Sequence, residues 1–341
     1  AARNTGIHAA RGKYIAYLDD DDAYYPQHLE MLVSFLENND CKVAYTDAYR
    51  VTQQFLDGRY QTVVRECLYS FDFDYDRILW QNFVPVLCFM HEKVCFEQAG
   101  MFDETLFRHE DWDLWIRMSR IYQFVHLPRV TCEYTHRLDG TGMVSGSTPS
   151  FLRSFDRISQ KYFYLTTGRP EIRDAIANSR FMMLYGTFDF LGRKLATLQE
   201  QNQLAASPAE LFDQLKSTGA TVEELTSAVF QEAGRAALSN YTVARELLSR
   251  SIEICPENVL ARQKLAELLM SFGEEDAAIG HLEILFEINP IEPLLLCALA
   301  RYYWAKDRKR ALFFYERLLR VDPSNHEAHA RAAEGIAQVG G

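Results

Sequence analysis

The chain has 341 residues, of which 48% are hydrophobic and 13% aromatic, as is typical of a globular protein with two or three domains. Its 47 acidic and 36 basic residues give a net charge of −11, which argues against a nucleic acid as the main partner. The seven cysteines form no CxxC pair, and no stretch approaches the roughly 18 apolar residues of a membrane-spanning helix. We therefore expect free thiols, no transmembrane segment, and a cytoplasmic location that includes a peripheral position at the inner membrane face.

The strongest local signal lies within the first 22 residues. Good helix formers from Ala1 to Arg11 end at Gly12, and the short apolar run from Tyr14 to Leu18 is typical of a strand buried on both faces. Four consecutive carboxylates, Asp19 to Asp22, follow at the end of that strand, where open α/β sheets bind ligands. Because four adjacent like charges repel one another, this stretch predicts a bound cation, and a divalent metal is the first candidate.

The pattern up to Thr131 alternates helices and strands, which predicts an α/β domain. The expected elements are a helix from Pro26 to Asn39, a strand at 42–47, a hairpin at 48–66 with Asp57-Gly58 as its turn, a strand at 83–90, a short helix at 91–98 closed by Gly100, and a strand at 124–131. A glycine-rich loop from Leu138 to Ser147 follows, of the kind that closes over substrates. From Phe151 onward only helices are expected.

A second candidate site lies where a helix begins near Trp112. The spacing of Trp112 and Trp115 predicts a helix packed by its indole rings, with Glu110 and Asp111 at its N-terminus. A helix N-terminus stabilises ionised carboxylates, which suits a general base. The alternative is that both acids only cap the helix. Asp113 is expected to face solvent or to support the nearby loop.

The last third of the chain contains an internal repeat. Pro256, Pro290 and Pro323 are 34 and 33 residues apart, and an alanine stands twelve residues before each of them. A period of 34 in helical sequence, with small residues where two helices touch, resembles the tetratricopeptide repeat over about residues 234 to 341. Such arrays stack into a superhelix whose concave face holds a peptide or another domain, so a protein partner is expected there.

Four motifs, in order along about the first 145 residues, carry a further resemblance. They are Ala2-Arg3-Asn4-Thr5-Gly6-Ile7, Gly12 to Asp22 followed by Pro26, Gly100-Met101-Phe102-Asp103-Glu104, and Glu110-Asp111-Trp112-Asp113-Leu114-Trp115. Together they resemble the inverting family 2 glycosyltransferases with a GT-A fold. The resemblance implies a Rossmann-like mixed sheet at 1–150, incomplete at its start because family members begin with a strand and loop that grip the nucleoside base. We therefore expect the natural polypeptide to continue upstream. A helical connector at 151–232 and tetratricopeptide-like repeats at 233–341 complete the expected division.

On the donor side, the family's DxD motif falls on Asp19, Asp20 and Asp21. The resemblance implies that these carboxylates bind the ribose and a Mn²⁺ or Mg²⁺ ion that bridges the two phosphates of a sugar nucleotide. Asp21 is the implied direct metal ligand, and Asp19 is the implied ribose contact and a further candidate ligand. His136 matches a histidine that completes the metal site in some relatives, and Arg3 matches an arginine that reaches the nucleotide. The structural alternatives are a solvated acidic turn, a loop histidine that binds nothing, and a surface arginine.

On the acceptor side, Glu110 and Asp111 resemble the family's ED motif, whose aspartate deprotonates the acceptor hydroxyl. The sequence therefore predicts a metal-dependent inverting glycosyltransferase that moves a sugar from a UDP- or dTDP-sugar to a hydroxyl of a protein or cell-surface glycan. The alternative is an interaction protein in which the repeats recruit a partner and the transferase-like domain is inactive. A metal-dependent phosphohydrolase would usually need two metals and more histidine ligands than this chain offers.

Overall fold

The computed structural model describes residues 2–138, 149–200 and 213–339. The chain divides into two compact units, Ala1–Gly146 with Ser154–Leu165, and Ser147–Arg153 with Thr166–Gly341. The first unit contains a mixed sheet, and the described residues of the second unit are mainly helical. The predicted fold class, an α/β domain followed by helices, is confirmed.

The first unit is built around one six-stranded sheet. Its strands are β1 (Tyr14–Ala16), β2 (Ala23–Tyr24), β3 (Val43–Leu56), β4 (Arg59–Tyr69), β5 (Phe89–Glu92) and β6 (Phe124–Arg137). Its helices are α1 (Ala2–Ala9), α2 (His28–Asn38), α3 (Cys95–Ala99) and α4 (Glu110–Ser119), together with the part of α5 (Pro149–Lys161) that begins at Ser154.

The direction of the strands decides which chain segments meet. The strand order is β1-β5-β3-β6-β2, and β4 pairs with β3 beyond the end of β5. β3 and β6 run parallel, while β5 is antiparallel to both β1 and β3. It follows that β1, β3 and β6 run in the same direction. The acidic turn after β1 and the last residues of β6 therefore lie at one edge of the sheet.

The predicted hairpin turn is confirmed. Asp57 and Gly58 connect β3 to β4 with φ of 51° and 78°, the left-handed values that a two-residue hairpin turn requires. The strand before the turn is longer than expected, because β3 runs without interruption from Val43 to Leu56. It stays continuous because β6 pairs along most of its length.

Three other strand predictions are wrong in their boundaries. β1 ends at Ala16, and Leu18 is exposed, because only residues 14–16 have a partner in β5. The run at 83–90 begins with a tight helical turn, Val86–Cys88, after Pro85, which has no N–H for a sheet, and the strand β5 starts only at Phe89. The strand predicted to end at residue 131 continues as β6 to Arg137.

Part of the expected mobile loop falls outside the described residues. Of the segment 138–147, only Leu138 is described, and its N–H donates to the carbonyl of Gln53 at 3.0 Å. The prediction that this loop closes over a substrate stays a prediction.

The second unit contains α6 (Pro170–Glu200), and its further helices are α7 (Val222–Ala236), α8 (Tyr241–Ile254), α9 (Val259–Ser271), α10 (Glu275–Ile288), α11 (Pro293–Tyr303), α12 (Arg308–Val321) and α13 (His326–Val339). Consecutive helices from α7 to α13 pack against each other, and α6 packs against α7, α9 and α10. The repeat alanines Ala244, Ala278 and Ala311 are all fully buried. The predicted helical repeat is therefore confirmed.

Side-chain caps fix where several of these helices begin. Thr221 forms a capping box with Glu224 at the start of α7, and Asn240, Asn258 and Asp307 accept main-chain N–H groups at the starts of α8, α9 and α12. Within the described part of the chain, no helix combines the length and the apolar character needed to cross a membrane.

Asp113 lies at the centre of a buried ion cluster, so the expectation that it faces solvent is wrong. Its side chain is fully buried, and its Oδ2 accepts from Nε and Nη2 of Arg117 at 3.0 and 2.8 Å. Its Oδ1 lies 2.6 Å from Nζ of Lys161 and 2.7 Å from the hydroxyl of Tyr162. Arg117 also donates to two main-chain carbonyls at the end of α3 and just beyond it. The cluster joins α4 to its neighbours on both sides.

Two fully buried histidines of this unit are neutral. His28 Nδ1 lies 2.6 Å from the hydroxyl of Thr131, and burial lowers the pKa of His28 to about 4. His91 Nδ1 lies 2.8 Å from the carbonyl oxygen of Glu92, and its Nε2 lies 2.6 Å from the hydroxyl of Tyr17. Because a carbonyl only accepts, His91 carries its proton on Nδ1 and accepts from Tyr17. Burial lowers the pKa of His91 to about 4 as well.

The first prediction concerns the Asp113 cluster. Asp113→Asn keeps the shape of the side chain but removes the charge that Arg117 and Lys161 share. We expect the free energy of unfolding in urea to fall by about 2–4 kcal/mol, below the upper range for a buried pair because Lys161 is partly exposed. The control Asp40→Asn, at an exposed position, should change it by less than about 0.5 kcal/mol. If both variants change the free energy of unfolding by equally small amounts, the Asp113 cluster does not stabilise the fold.

The second prediction concerns acid stability. The unfolded chain accepts a proton on each histidine near pH 6.5, whereas the folded protein accepts it only near pH 4. The fold should therefore lose stability as the pH falls from about 6.5 to about 4, by up to about 3 kcal/mol for each histidine. Urea unfolding across this range should show a shallower loss in His28→Gln, while His8→Gln, at an exposed position, should keep the wild-type slope. A wild-type slope in His28→Gln would refute this account.

Candidate active site

Arg3 joins the two candidate sites of the sequence. It lies in the first turn of α1, and its Nη2 is 3.0 and 2.9 Å from the two carboxylate oxygens of Asp19, while its Nη1 pairs with Glu110. Burial disfavours the charge, but the carboxylates of Asp19, Glu110 and Asp111 outweigh it and raise the pKa of Arg3. The guanidinium therefore stays charged and connects the turn after β1 to the N-terminus of α4.

Asn4 holds α1 in the place that this bridge requires. Its Nδ2 donates to the carbonyl of Phe102 at 2.9 Å, and its Oδ1 accepts the N–H of Phe102 at 3.1 Å, as a neighbouring strand would. Nδ2 also lies 2.8 Å from Oε1 of Glu104. The segment turns at Gly100, whose φ of 74° would strain any residue with a side chain. The first and third motifs of the sequence are therefore bonded to each other.

The four carboxylates after β1 differ in their surroundings. Asp19 is engaged in the bridge, Asp20 is exposed, and Asp21 and Asp22 are half-buried. Asp22 accepts the N–H of Thr135 at 2.9 Å. Burial raises the pKa of Asp22 to about 7, and the carboxylates of Asp21 and Asp19 add to the shift although the Thr135 bond opposes it. Crowded acidic groups of this kind favour a bound cation.

Asp111 faces the same region from the other side. Its Oδ1 accepts the main-chain N–H of the next residue at 2.8 Å, and its Oδ2 accepts from Nδ2 of Asn82 at 3.1 Å. Tyr134, near the end of β6, is influenced by both groups of acids. Burial raises the pKa of its hydroxyl, and the carboxylates of Asp22, Asp111 and Asp21 raise it further. Acids that follow β1 and an acid that opens α4 therefore lie close enough to one tyrosine to raise its pKa.

The two residues that open this helix are also perturbed. Burial and the Asp111 carboxylate raise the pKa of Glu110, although Arg3 opposes them. Burial lowers the pKa of His109 to about 4. The backbone of His109 has φ of 60°, in the left-handed region that costs a residue with a side chain about 1–2 kcal/mol. Strain of this kind is common at ligand sites.

A cavity of about 380 Å³ opens beside Arg3 and Asp19. It is lined by residues of α1 and by residues 14–19, which form β1 and the start of the acidic turn. Its size lies within the roughly 300–1,000 Å³ of typical small-molecule sites. The bridge between Arg3 and Asp19 therefore forms one wall of a space that is large enough for a ligand.

The structure brings only some of the predicted metal ligands together. The described residues hold no group of three or more His, Cys, Asp or Glu side chains arranged for a metal ion. His136 lies in β6 opposite Thr52, and burial and Arg50 lower its pKa, but it forms no such group with Asp19 and Asp21. Mg²⁺ commonly takes one or two carboxylates from the protein and its other ligands from phosphates and water. The half-buried acidic turn fits an ion that arrives with a nucleotide.

The structure thus brings five of the predicted residues into one region: Arg3, Asp19, Asp21, Glu110 and Asp111. Asp20 is exposed in the same turn. The two indoles of α4, at Trp112 and Trp115, are fully buried and belong to the core.

Two residues of the site were not predicted. Asn82 and Tyr134 contact or influence Asp111 only because the loop before β5 and the end of β6 fold against α4. No motif marks either residue. The available signal was an asparagine next to the apolar run from Phe83 to Met90.

The first part of the chain is similar to known glycosyltransferases. The model of glycosyl transferase family 2 matches residues 1–96, so the resemblance stated from the motifs is confirmed for this segment. An uncharacterized glycosyltransferase of Bacillus subtilis, YwdF, is 28% identical over 163 residues, which are 48% of this chain and 59% of that protein. An uncharacterized glycosyltransferase of Methanocaldococcus jannaschii is 31% identical over 126 residues, 36% of this chain and 42% of the relative. The chain therefore spans less than two thirds of each relative.

Among solved structures, residues 1–349 of S. aureus TarS in complex with UDP-GlcNAc give a TM-score of 0.40. The identity is 14%, over 77% of this chain and 70% of that one.

The third prediction tests the Arg3 bridge. Arg3→Gln leaves the carboxylates of Asp19, Glu110 and Asp111 without their cation, so the free energy of unfolding should fall by about 1–3 kcal/mol. Salt screens the remaining repulsion, so the loss should shrink in about 0.5 M NaCl. In the double variant Arg3→Gln/Glu110→Gln, the loss in free energy of unfolding should be smaller than the sum of the two single losses by at least about 0.5 kcal/mol.

Arg11→Gln, at an exposed position, is the control for this cycle and should leave the stability close to that of the wild type. Additive losses that do not depend on salt would show that the three carboxylates do not share Arg3.

Proposed function

We propose that this protein is an inverting glycosyltransferase that moves a sugar from a UDP- or dTDP-sugar to a hydroxyl group of an acceptor. The observation that carries the proposal is the Arg3 bridge, which holds Asp19 and the pair Glu110-Asp111 at one site. The bridge begins within the segment 1–96 that matches glycosyl transferase family 2. Asp19 lines the cavity, and Arg3 connects Asp19 to the second group of acids, an arrangement that suits a charged donor and a neutral acceptor.

The donor would lie against the acidic turn. Asp19, beside the cavity, would accept hydrogen bonds from the ribose, and Asp21 would hold a Mn²⁺ or Mg²⁺ ion. That ion, when bound, supplies positive charge to the diphosphate as it leaves. Asp20 would contact the donor from its exposed position. His136 remains a proposed further ligand on β6, two residues from Tyr134.

Asp111 would act as the general base. It would take the proton of the acceptor hydroxyl as that oxygen forms a bond to the anomeric carbon from the face opposite the diphosphate. The bond between the anomeric carbon and the diphosphate oxygen breaks in the same step, which inverts the configuration. Glu110 would assist by keeping Arg3 in place, since both side chains begin from helix ends that meet here.

Arg3 would serve the donor side as well. Its guanidinium presents a fork of donors that matches carboxylates and phosphates alike. Asp19 and Glu110 already accept several of its N–H groups. We therefore propose that the main role of Arg3 is to hold these carboxylates in place, and that contact with the nucleotide is secondary.

The helical repeats support a proposal for the acceptor and for a partner. We propose a protein or cell-surface glycan as acceptor, and a peptide or protein partner on the repeats, because arrays of this kind commonly bind peptides. We also propose that the protein is located in the cytoplasm, which includes a peripheral position at the inner membrane face. The proposed domain boundaries lie at residues 150 and 232.

The fourth prediction tests this function. The natural full-length protein with Mn²⁺ should release nucleoside diphosphate from one of UDP-glucose, UDP-galactose, UDP-N-acetylglucosamine or dTDP-rhamnose. Asp111→Asn should lower kcat by about 100-fold or more, the usual effect of losing a general base, while the affinity for UDP measured by calorimetry stays close to wild type. The control Asp40→Asn should keep the full rate.

Two results would decide against the proposal. An Asp111→Asn enzyme with the wild-type rate would exclude Asp111 as the base. A wild-type protein that binds neither Mn²⁺ nor UDP would favour the interaction protein, in which the transferase-like domain is inactive.

A further inference from the structure

We propose that Asn82 is the positioning residue of the general base, a role that rests on the proposed function of Asp111. Asn82 Nδ2 donates to Asp111 Oδ2 at 3.1 Å. The other hydrogen bond that Asp111 receives within the described residues comes from the main chain of the next residue. Asn82 is therefore the contact that fixes the Asp111 carboxylate from outside its own helix.

The loop that carries Asn82 is attached firmly to α4. The indole Nε1 of Trp112 donates to the carbonyl of Ile78 at 2.5 Å, four residues before Asn82. Phe83 and Val84, which follow Asn82, are buried. A short segment anchored on both sides of Asn82 holds the amide at a defined distance from Asp111.

The hydrogen-bonding capacity of the two groups fixes the orientation of the amide. An ionised carboxylate only accepts, so the NH₂ group of Asn82 must face Asp111 and its Oδ1 must face away. That Oδ1 is buried and has no hydrogen-bond partner among the described residues. A buried polar atom without a partner is a cost to folding. Asn82 is therefore poorly explained as a residue kept for stability, and better explained by its bond to Asp111.

The charges around Asp111 show why a neutral donor is needed there. Glu110 lies beside it in α4, and His109 immediately precedes that helix. Arg3 of α1 and Tyr134 of β6 are close enough for the Asp111 charge to raise the pKa of each. Arg3 is already shared between Asp19 and Glu110. An amide holds one carboxylate oxygen in place without adding a charge, and it leaves a lone pair on that oxygen free to receive the acceptor proton.

The experiment uses the natural full-length enzyme with the donor identified by the turnover screen. Asn82→Ala should lower kcat by about 10- to 100-fold, as expected when a base is no longer oriented, with the donor KM within about twofold of wild type. Its melting temperature should not fall, because the variant also removes the unpartnered Oδ1. Asn82→Asp keeps the shape but places a second carboxylate beside the base, so its loss should be larger at neutral pH.

The pH profile separates positioning from a merely structural effect. Asn82→Ala should lower kcat by a similar factor across the pH range, because the amide orients the base without adding a charge. In Asn82→Asp the acid limb of kcat against pH should move to higher pH, because the introduced carboxylate repels the charge of the base. The control pair Asn38→Ala and Asn38→Asp, at an exposed asparagine in α2, should change neither the rate nor the profile.

The proposal is overturned if Asn82→Ala keeps the wild-type kcat across the pH range. It is also overturned if the melting temperature, the donor KM and kcat all deteriorate together, as they would for a structural residue. If Asn82→Ala does not fold, the isosteric Asn82→Asp decides by the same criteria. If the wild-type enzyme itself shows no turnover, the proposed function is refuted. If the wild type is active and Asn82→Ala is equally active, only the role of Asn82 is refuted.

Discussion

The site depends on one half-buried cation, Arg3, shared by acids from distant parts of the sequence. Arg3 pairs with Asp19 and Glu110, and Asp111 adds to the field that keeps the guanidinium charged. Without it, three carboxylates would face one another in a half-buried space, where repulsion is poorly screened. The same pairing brings the end of β1 to the start of α4. The ion pairs that neutralise the site therefore also hold these two elements of the domain together.

A second set of contacts holds that arrangement in place. Asn4 bonds α1 to the segment after Gly100, and the Asp113 cluster bonds α4 to the same segment and to α5. The two motifs that carry proposed chemistry, at Asp19 and Asp111, therefore rest on neighbours whose contribution is purely structural. Asn4 directly follows Arg3, and Asp113 lies two residues after Asp111, so these supports are close in sequence to the proposed site residues.

Sequence patterns revealed what is local. The run of carboxylates after an apolar strand, the acids at the start of an indole-packed helix, and the 34-residue repeat were all readable, because each depends on neighbours in the chain. The fully buried Asp113 and the contact of Asn82 with Asp111 were not readable, because both arise where separate segments meet. β5 was misplaced for a related reason: an apolar run predicts burial, and Pro85 decided where the strand begins.

The most direct test is a crystal structure of the natural full-length protein with UDP and Mn²⁺, in which anomalous scattering locates the metal. We expect a Mn²⁺ peak beside Asp21 with the diphosphate next to it. Arg3 should still bridge Asp19 and Glu110, and the Asp111 carboxylate should face the space beyond the phosphates. A Mn²⁺ or UDP position away from the acidic turn, or an Arg3 that leaves Glu110, would contradict this arrangement.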